Sequence, residues 1–306
     1  MDISSLQAKL DEAKYLCGAE VATTLLVALQ LGRPLLIEGP AGVGKTEIAK
    51  VMAAALDREL VRLQCYEGLD ESKALYEWNY QKQLLSIQVQ MNRRDADELT
   101  RSLFSSEYLL ERPLLRAIRS EKPVVLLIDE IDKSDEEFEA FLLELLSEMQ
   151  VTIPESGVIR ASSIPFVILT SNRARPLGEA LRRRCAYLYL QYPDIERETA
   201  IIRAKAPNVN EHLAVQVAQA IHDLRQSERI LKKPSIAETL DWVSALEALG
   251  ISDLTREAAG QTMGFVLKSS EDLDAAEEVL PGEACAHGHT LETGHEHCGA
   301  CGHHPA

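Results

Sequence analysis

Lys45 and Thr46 set an ammonium beside a hydroxyl, and Asp129 and Glu130 set two carboxylates side by side. The surroundings of each pair point to phosphate chemistry. Lys45-Thr46 closes the run Gly39-Pro40-Ala41-Gly42-Val43-Gly44, with apolar Leu35-Leu36-Ile37 before it and a helical segment, Glu47–Asp57, after it. A buried strand that enters a glycine-rich loop and then a helix lets backbone N–H groups turn inward around an anion. The partial positive charge of the helix N-terminus adds to the attraction. Lys45 is placed to neutralise charge on a terminal phosphate, and Thr46 to offer its hydroxyl to Mg²⁺. The carboxylate pair ends a second apolar run, Val124-Val125-Leu126-Leu127-Ile128. There Asp129 fits the Mg²⁺ shell and Glu130 fits the base that polarises an attacking water. The two pairs together imply binding and hydrolysis of a nucleoside triphosphate.

Groups so far apart in sequence need a scaffold to bring them together. Strand-like runs at Leu35–Glu38, Glu59–Cys65, Val124–Asp129, Phe166–Ser171 and Ala186–Tyr192 alternate with amphipathic helices. That alternation marks a parallel sheet covered on both faces. The expected fold class is α/β: a three-layer αβα phosphate-loop domain with a five-stranded parallel sheet over residues 1–193. A small all-helical domain over 194–270 and a disordered acidic tail over 271–306 follow. Ser5–Leu31 is spaced as one helix up to the break at Gly32-Arg33-Pro34. Val151–Arg160 reads as a β-hairpin around Glu155-Ser156-Gly157, inserted before the fourth strand. After Pro193, helices are expected at Asp194–Ala204, Asn210–Ser227, Ser235–Leu249 and Leu254–Lys268, with Ser235 and Glu238 as a capping box.

With 306 residues, 46 % of them hydrophobic, the chain can build cores for two domains. A net charge of −16 argues against a sequence-independent nucleic-acid binder, which needs a basic surface. Arg182-Arg183-Arg184 is a local exception. The first residues lack an apolar signal core and no apolar run approaches membrane length, so a cytoplasmic location is expected. Cys17, Cys65 and Cys185 sit in apolar surroundings and read as free thiols rather than a disulfide framework. The other cysteines fall in the tail. Cys285, His287, His289, His295, His297, Cys298, Cys301, His303 and His304 supply thiolate and imidazole donors suited to Zn²⁺, Ni²⁺ or Cu⁺. Residues 276–306 contain no Lys or Arg. A metal-delivery tail and a merely biased extension are both compatible with that composition.

An α/β phosphate-loop domain followed by a helical lid resembles the AAA+ ATPases. Arg62–Leu85, Phe104–Ile118, Leu126–Gly157, Leu169–Asp194 and Lys232–Trp242 narrow the resemblance to the MoxR family and its CoxD-like branch. The resemblance implies ATP and Mg²⁺ as ligands and a ring homo-oligomer, a hexamer, with ATP at each interface. It implies Asn172 as the group that holds the attacking water. It also implies an arginine finger reaching the neighbouring subunit, with Arg184 the first candidate and Arg183 the second. Many relatives carry an arginine before the third lid helix. Here Lys232-Lys233-Pro234 stands instead, leaving Lys233 as a point charge in place of a planar fork. Gln64 either couples Glu130 to the partner or is a simple hydrogen-bonded strand residue. Tyr76, Trp78 and Tyr80 either face a partner or fill a core. The family association further implies a metalloenzyme client, a molybdenum hydroxylase of the carbon monoxide dehydrogenase kind, and a von Willebrand A-type adaptor. The rival reading is a metal-binding chaperone whose nucleotide site is a low-turnover switch.

Overall fold

The structure is a computed structural model that describes residues 1–90, 103–154 and 157–279. Five strands form one parallel sheet: β1 (Leu35–Glu38), β2 (Leu60–Gln64), β5 (Val125–Asp129), β8 (Phe166–Ser171) and β9 (Ala186–Tyr189), in the order β2-β5-β8-β1-β9. Two antiparallel pairs stand apart from it. These are β3 (Tyr76–Trp78) with β4 (Leu109–Glu111), and β6 (Gln150–Ile153) with β7 (Gly157–Arg160). The second pair is the expected hairpin, although its Glu155 and Ser156 lie outside the described residues.

Alternate side chains of the central strands enter two separate cores, as the two-residue strand period requires. Leu126, Ile128, Val167 and Leu169 pack against α6 (Pro113–Arg119) and α7 (Glu136–Glu148). Val125, Leu127, Phe166 and Ile168 pack against α1 (Ile3–Glu12), α2 (Ala19–Leu31) and α3 (Lys45–Leu56). All five strands run the same way, so their carboxyl ends share one edge. In register, Gln64 lies beside Asp129 and Glu38 beside Ser171. Polar residues ending otherwise apolar strands therefore gather at a single rim, where α/β sheets place their ligands.

The first helix differs from expectation. Ser5–Leu31 is two helices, broken between Glu12 and Ala19. Lys14 takes a left-handed conformation (φ 58°), and the N–H groups of Lys14 and Tyr15 bond back to Asp11 and Leu10. That pattern closes a helix in a Schellman motif. It usually uses glycine, so a lysine there leaves no signal in the sequence. The break turns Tyr15 and Leu16 toward the strand ends.

The helical domain comprises α9 (Ile195–Lys205), α10 (Glu211–Gln226), α11 (Ile236–Ala248), α12 (Arg256–Thr262) and α13 (Ser270–Val279) around Trp242, Leu224, Ile221 and Val217. The capping box is present: Ser235 accepts from the N–H of Glu238, and Glu238 accepts from the N–H of Ser235. The boundary at 270 needs correction. Residues 270–279 are a helix packed on the lid, with Ala276 buried and Leu273 and Val279 against the same core. Asp272 is also buried and accepts from the N–H of Leu231 at 2.7 Å. The acidic composition of this stretch hid a short apolar stripe. Ending the chain at residue 270 should therefore cost about 2–4 kcal/mol of lid stability, from lost apolar burial and an orphaned N–H. Ending it at 279 should cost little. Thermal unfolding of the two truncations beside the full chain checks this.

Candidate phosphate site

A cavity of about 1080 Å³ opens over the carboxyl rim. Residues 41–46, Asp129, Glu130, Thr170 and Asn172 line it, with Tyr15 and Leu16 from the helix break and Ile201 and Leu240 from the lid. The ring of Tyr15 lies 3.7 Å from where a Cβ on Gly44 would sit.

Lys45 opens α3 and is buried. Its ammonium donates to the carbonyls of Gly39 (2.8 Å) and Pro40 (2.7 Å) and to Oδ1 of Asn172 (2.6 Å). Burial pulls its pKa below the usual lysine value, and the carboxylates of Asp132, Asp129 and Glu130 oppose that pull. Asp129 Oδ1 accepts from the hydroxyls of Thr46 (3.0 Å) and Thr170 (2.5 Å), and Oδ2 from Arg62 (2.6 Å). Glu130 is held in a left-handed conformation (φ 57°), a strain on the order of 1–3 kcal/mol for such a residue. Its N–H donates to Thr170 Oγ1 at 2.9 Å. Its carboxylate accepts from Gln64 (2.8 Å), Lys133 (2.6 Å) and Asn172 Nδ2 (3.3 Å). Asn172 thus bridges the ammonium and the carboxylate.

The glycines of the loop have specific neighbours. A Cβ on Gly39 would lie 2.4 Å from the carbonyl oxygen of Leu190, and one on Gly42 (φ 69°) would lie 2.2 Å from Cβ of Ser235. The lid thus rests on the loop. Ile236 N–H donates to the Gly42 carbonyl at 3.2 Å, and the Tyr192 hydroxyl to that of Ala41 at 3.3 Å.

Other expected residues lie elsewhere. Lys233 donates to the carbonyl of Ser227 at 2.5 Å and does not line the cavity. Arg183 and Arg184 are exposed on α8 (Glu179–Arg184), also away from the cavity lining. Arg183 pairs with Glu179, and Arg184 Nε donates to Ser147 Oγ at 2.6 Å. Trp78 is buried with its ring edge-on to Phe104, Tyr76 is half-buried and Tyr80 is exposed, so these aromatics divide between core and surface. The nine cysteines and histidines from Cys285 to His304 lie outside the described residues.

Sequence reasoning missed Arg62, Thr170 and Asp132. A signal existed for the first: Arg62 and Gln64 share one face of a strand that should be apolar. Asp132 follows Asp129-Glu130 and is buried, its Oδ2 accepting from the N–H groups of Asn172 (3.2 Å) and Ala174 (2.9 Å). It sets the turn that carries Asn172.

Residues 34–185 match the family described as the AAA domain, dynein-related subfamily. The chain contains an AAA domain. A protein of Staphylococcus haemolyticus is 26 % identical over 231 residues, covering 73 % of this chain and 78 % of that protein. The gas vesicle ATPase GvpN of Haloferax mediterranei is 26 % identical over 221 residues, covering 68 % of this chain and 60 % of its own length. Among solved structures, a RuvB mutant from Thermotoga maritima superposes with a TM-score of 0.50 at 17 % identity, over 85 % of this chain and 73 % of that one. That last likeness is one of fold alone. The AAA domain is an ATP hydrolase, and its glycine-rich loop and strand-end carboxylates line one cavity together with residues of the helical lid that follows. No helix among the described residues is long and apolar enough to cross a membrane.

Gly42→Ala tests the contact between loop and lid. A methyl there must displace Ser235 and occupy a left-handed backbone, so stability should fall by about 1–3 kcal/mol. Nucleotide affinity should fall roughly tenfold or more, since the loop no longer frames the phosphates. Fluorescent-nucleotide titration and thermal unfolding of the variant report both.

Proposed function

We propose that the chain is a ring-forming AAA+ motor of the MoxR type that uses ATP hydrolysis to remodel a client protein. One observation carries the reading. The groups for binding and cleaving phosphate converge on one cavity, whereas Arg183 and Arg184 stand exposed and outside its lining, where they can serve a neighbour's cavity. Lys45 and the N–H groups of residues 41–46 hold the phosphates. Thr46 and Asp129 offer oxygen donors 3.0 Å apart at the rim of the cavity, a hard donor set that suits Mg²⁺. When bound, Mg²⁺ would neutralise charge developing on the phosphates. Glu130 takes the proton of the attacking water, and Asn172, already bridging Lys45 and Glu130, orients that water. Gln64 and Lys133 hold the carboxylate of Glu130 in place. Arg184, or Arg183 in its stead, acts in trans on the neighbour's γ-phosphate. The motion follows the contacts of the lid with Ala41 and Gly42. Lys233 serves as a lid residue.

The resemblance extends the reading to a cytoplasmic hexamer, a von Willebrand A-type adaptor and a metalloenzyme client of the molybdenum hydroxylase kind. A second reading, a metal-binding chaperone with a nucleotide switch, draws on the nine cysteines and histidines between 285 and 304. Calorimetric titration with Zn²⁺, Ni²⁺ and Cu⁺ weighs it. Binding should vanish when residues 280–306 are removed and should weaken below about pH 6, where imidazole protonates. Unchanged ATP turnover after that deletion favours the motor, and metal-dependent turnover favours the switch.

Two substitutions test the chemistry. Lys45→Ala should abolish tight nucleotide binding. Glu130→Gln should bind ATP normally and lose roughly 10²-fold or more in turnover, because an amide cannot accept the water proton. Parent-like turnover in Glu130→Gln removes Glu130 from the role of base.

A further inference from the structure

The chain after β5 and the chain after β8 are laced together. Asp132 starts the contact at Asn172 and Ala174. Two residues on, the carbonyl of Ser134 accepts from Arg175 Nε at 2.7 Å. Glu139, on α7, then accepts from the N–H of Gly178 at 2.8 Å and pairs with the Arg175 guanidinium. Glu139 is buried inside a helix whose other inward residues are apolar: Phe138, Leu142, Leu145 and Leu146. A carboxylate in such a place costs several kcal/mol unless both its charge and its lone pairs are met. Arg175 meets the charge and Gly178 supplies a hydrogen bond.

Gly178 is the N-cap of α8, and α8 carries Arg182, Arg183 and Arg184. A Cβ on Gly178 would lie 3.0 Å from Oε2 of Glu139, so the approach leaves little slack. Eight residues further along α7, Ser147 holds Arg184 through its hydroxyl. The α7 helix therefore grips α8 at its N-cap and at its last residue. Glu139 does not line its own subunit's cavity.

We propose that Glu139, acting through Gly178 and Arg175, is a positioning residue for the arginines that α8 presents to a neighbouring subunit. The proposal rests on the trans-arginine reading above. Its signature is a defect at the neighbour's site with its own site intact. A role confined to folding, or to its own cavity, lacks that signature.

The test uses the full chain with Glu139→Ala, with Arg175→Gln as a second variant should the first fail to fold. Each should lose roughly tenfold or more in kcat, as small misplacements of a catalytic group do, with nucleotide affinity within about twofold of the parent. Each is then mixed in equal amounts with Lys45→Ala, which lacks a working phosphate site but keeps its arginines and α7 intact. Turnover of the mixture should exceed the sum of the separate proteins, because some interfaces combine an intact cavity with correctly aimed arginines. Arg184→Ala and Arg183→Ala, mixed in the same way, report the underlying reading. If one arginine variant is rescued and neither Glu139→Ala nor Arg175→Gln is, the positioning role is overturned and the arginine finger stands. If no arginine variant is rescued, the finger reading fails and this proposal fails with it. Parent-like turnover in both Glu139→Ala and Arg175→Gln also overturns it.

Discussion

The buried ammonium of Lys45 sets the terms for the rest of the site. A lone positive charge at that depth favours its neutral form, and three nearby carboxylates at Asp129, Glu130 and Asp132 offset that cost. Its donors are spent on two loop carbonyls and on Asn172. Phosphate oxygens are better acceptors for the same donors, since they bring a full negative charge to bonds in which only the ammonium is now charged. An arriving nucleotide therefore competes directly with the contacts that define the loop, and Asn172 feels the exchange at once. The parallel sheet makes this possible by bringing the ends of β1, β5 and β8 to one rim.

The same exchange reaches the lid. Tyr192, in the segment joining the two domains, bonds the Ala41 carbonyl, and the Arg225 guanidinium lies 4.3 Å from its ring centroid. Arg225 is in turn buried against Glu198, which also accepts from Thr239 at 2.8 Å. Three lid helices thus meet at one ion pair directly behind the loop. Breaking a buried pair of this kind by removing one partner costs about 3–5 kcal/mol, so the pair ties the three lid helices together. With Ser235 against Gly42, a change in loop shape has a short mechanical path to a rigid body. On the other side of the rim, the bonds from Asp132 to Glu139 carry the position of β8 into α8.

Much of this was legible in the sequence because it rests on local rules. The loop Gly39–Thr46, the apolar run ending Asp129-Glu130, the hairpin and the Ser235–Glu238 capping box each need only neighbouring residues to be specified. The misses have separate physical causes. Lys14 ends a helix in a conformation usually reserved for glycine, so Gly18, the cap of the second helix, is the single mark of the break at residues 13–18. The helix Ser270–Val279 is acidic on its exposed side and is held by one buried aspartate and a short apolar stripe. Glu139 and Asp132 look like surface residues of a charged helix start. They are buried because their partners, Gly178, Arg175 and Asn172, come from a strand end some forty residues away. Burial of a polar group by a distant partner is the kind of fact that periodicity does not encode.

On the proposed trans-arginine mechanism, this cavity hydrolyses ATP only when a second subunit completes it. The most direct measurement is specific ATPase activity against protein concentration, with oligomer mass followed by light scattering in the same samples. Turnover per chain should rise with concentration, in step with ring assembly, and then level off. Full activity per chain in samples that remain monomeric would contradict it.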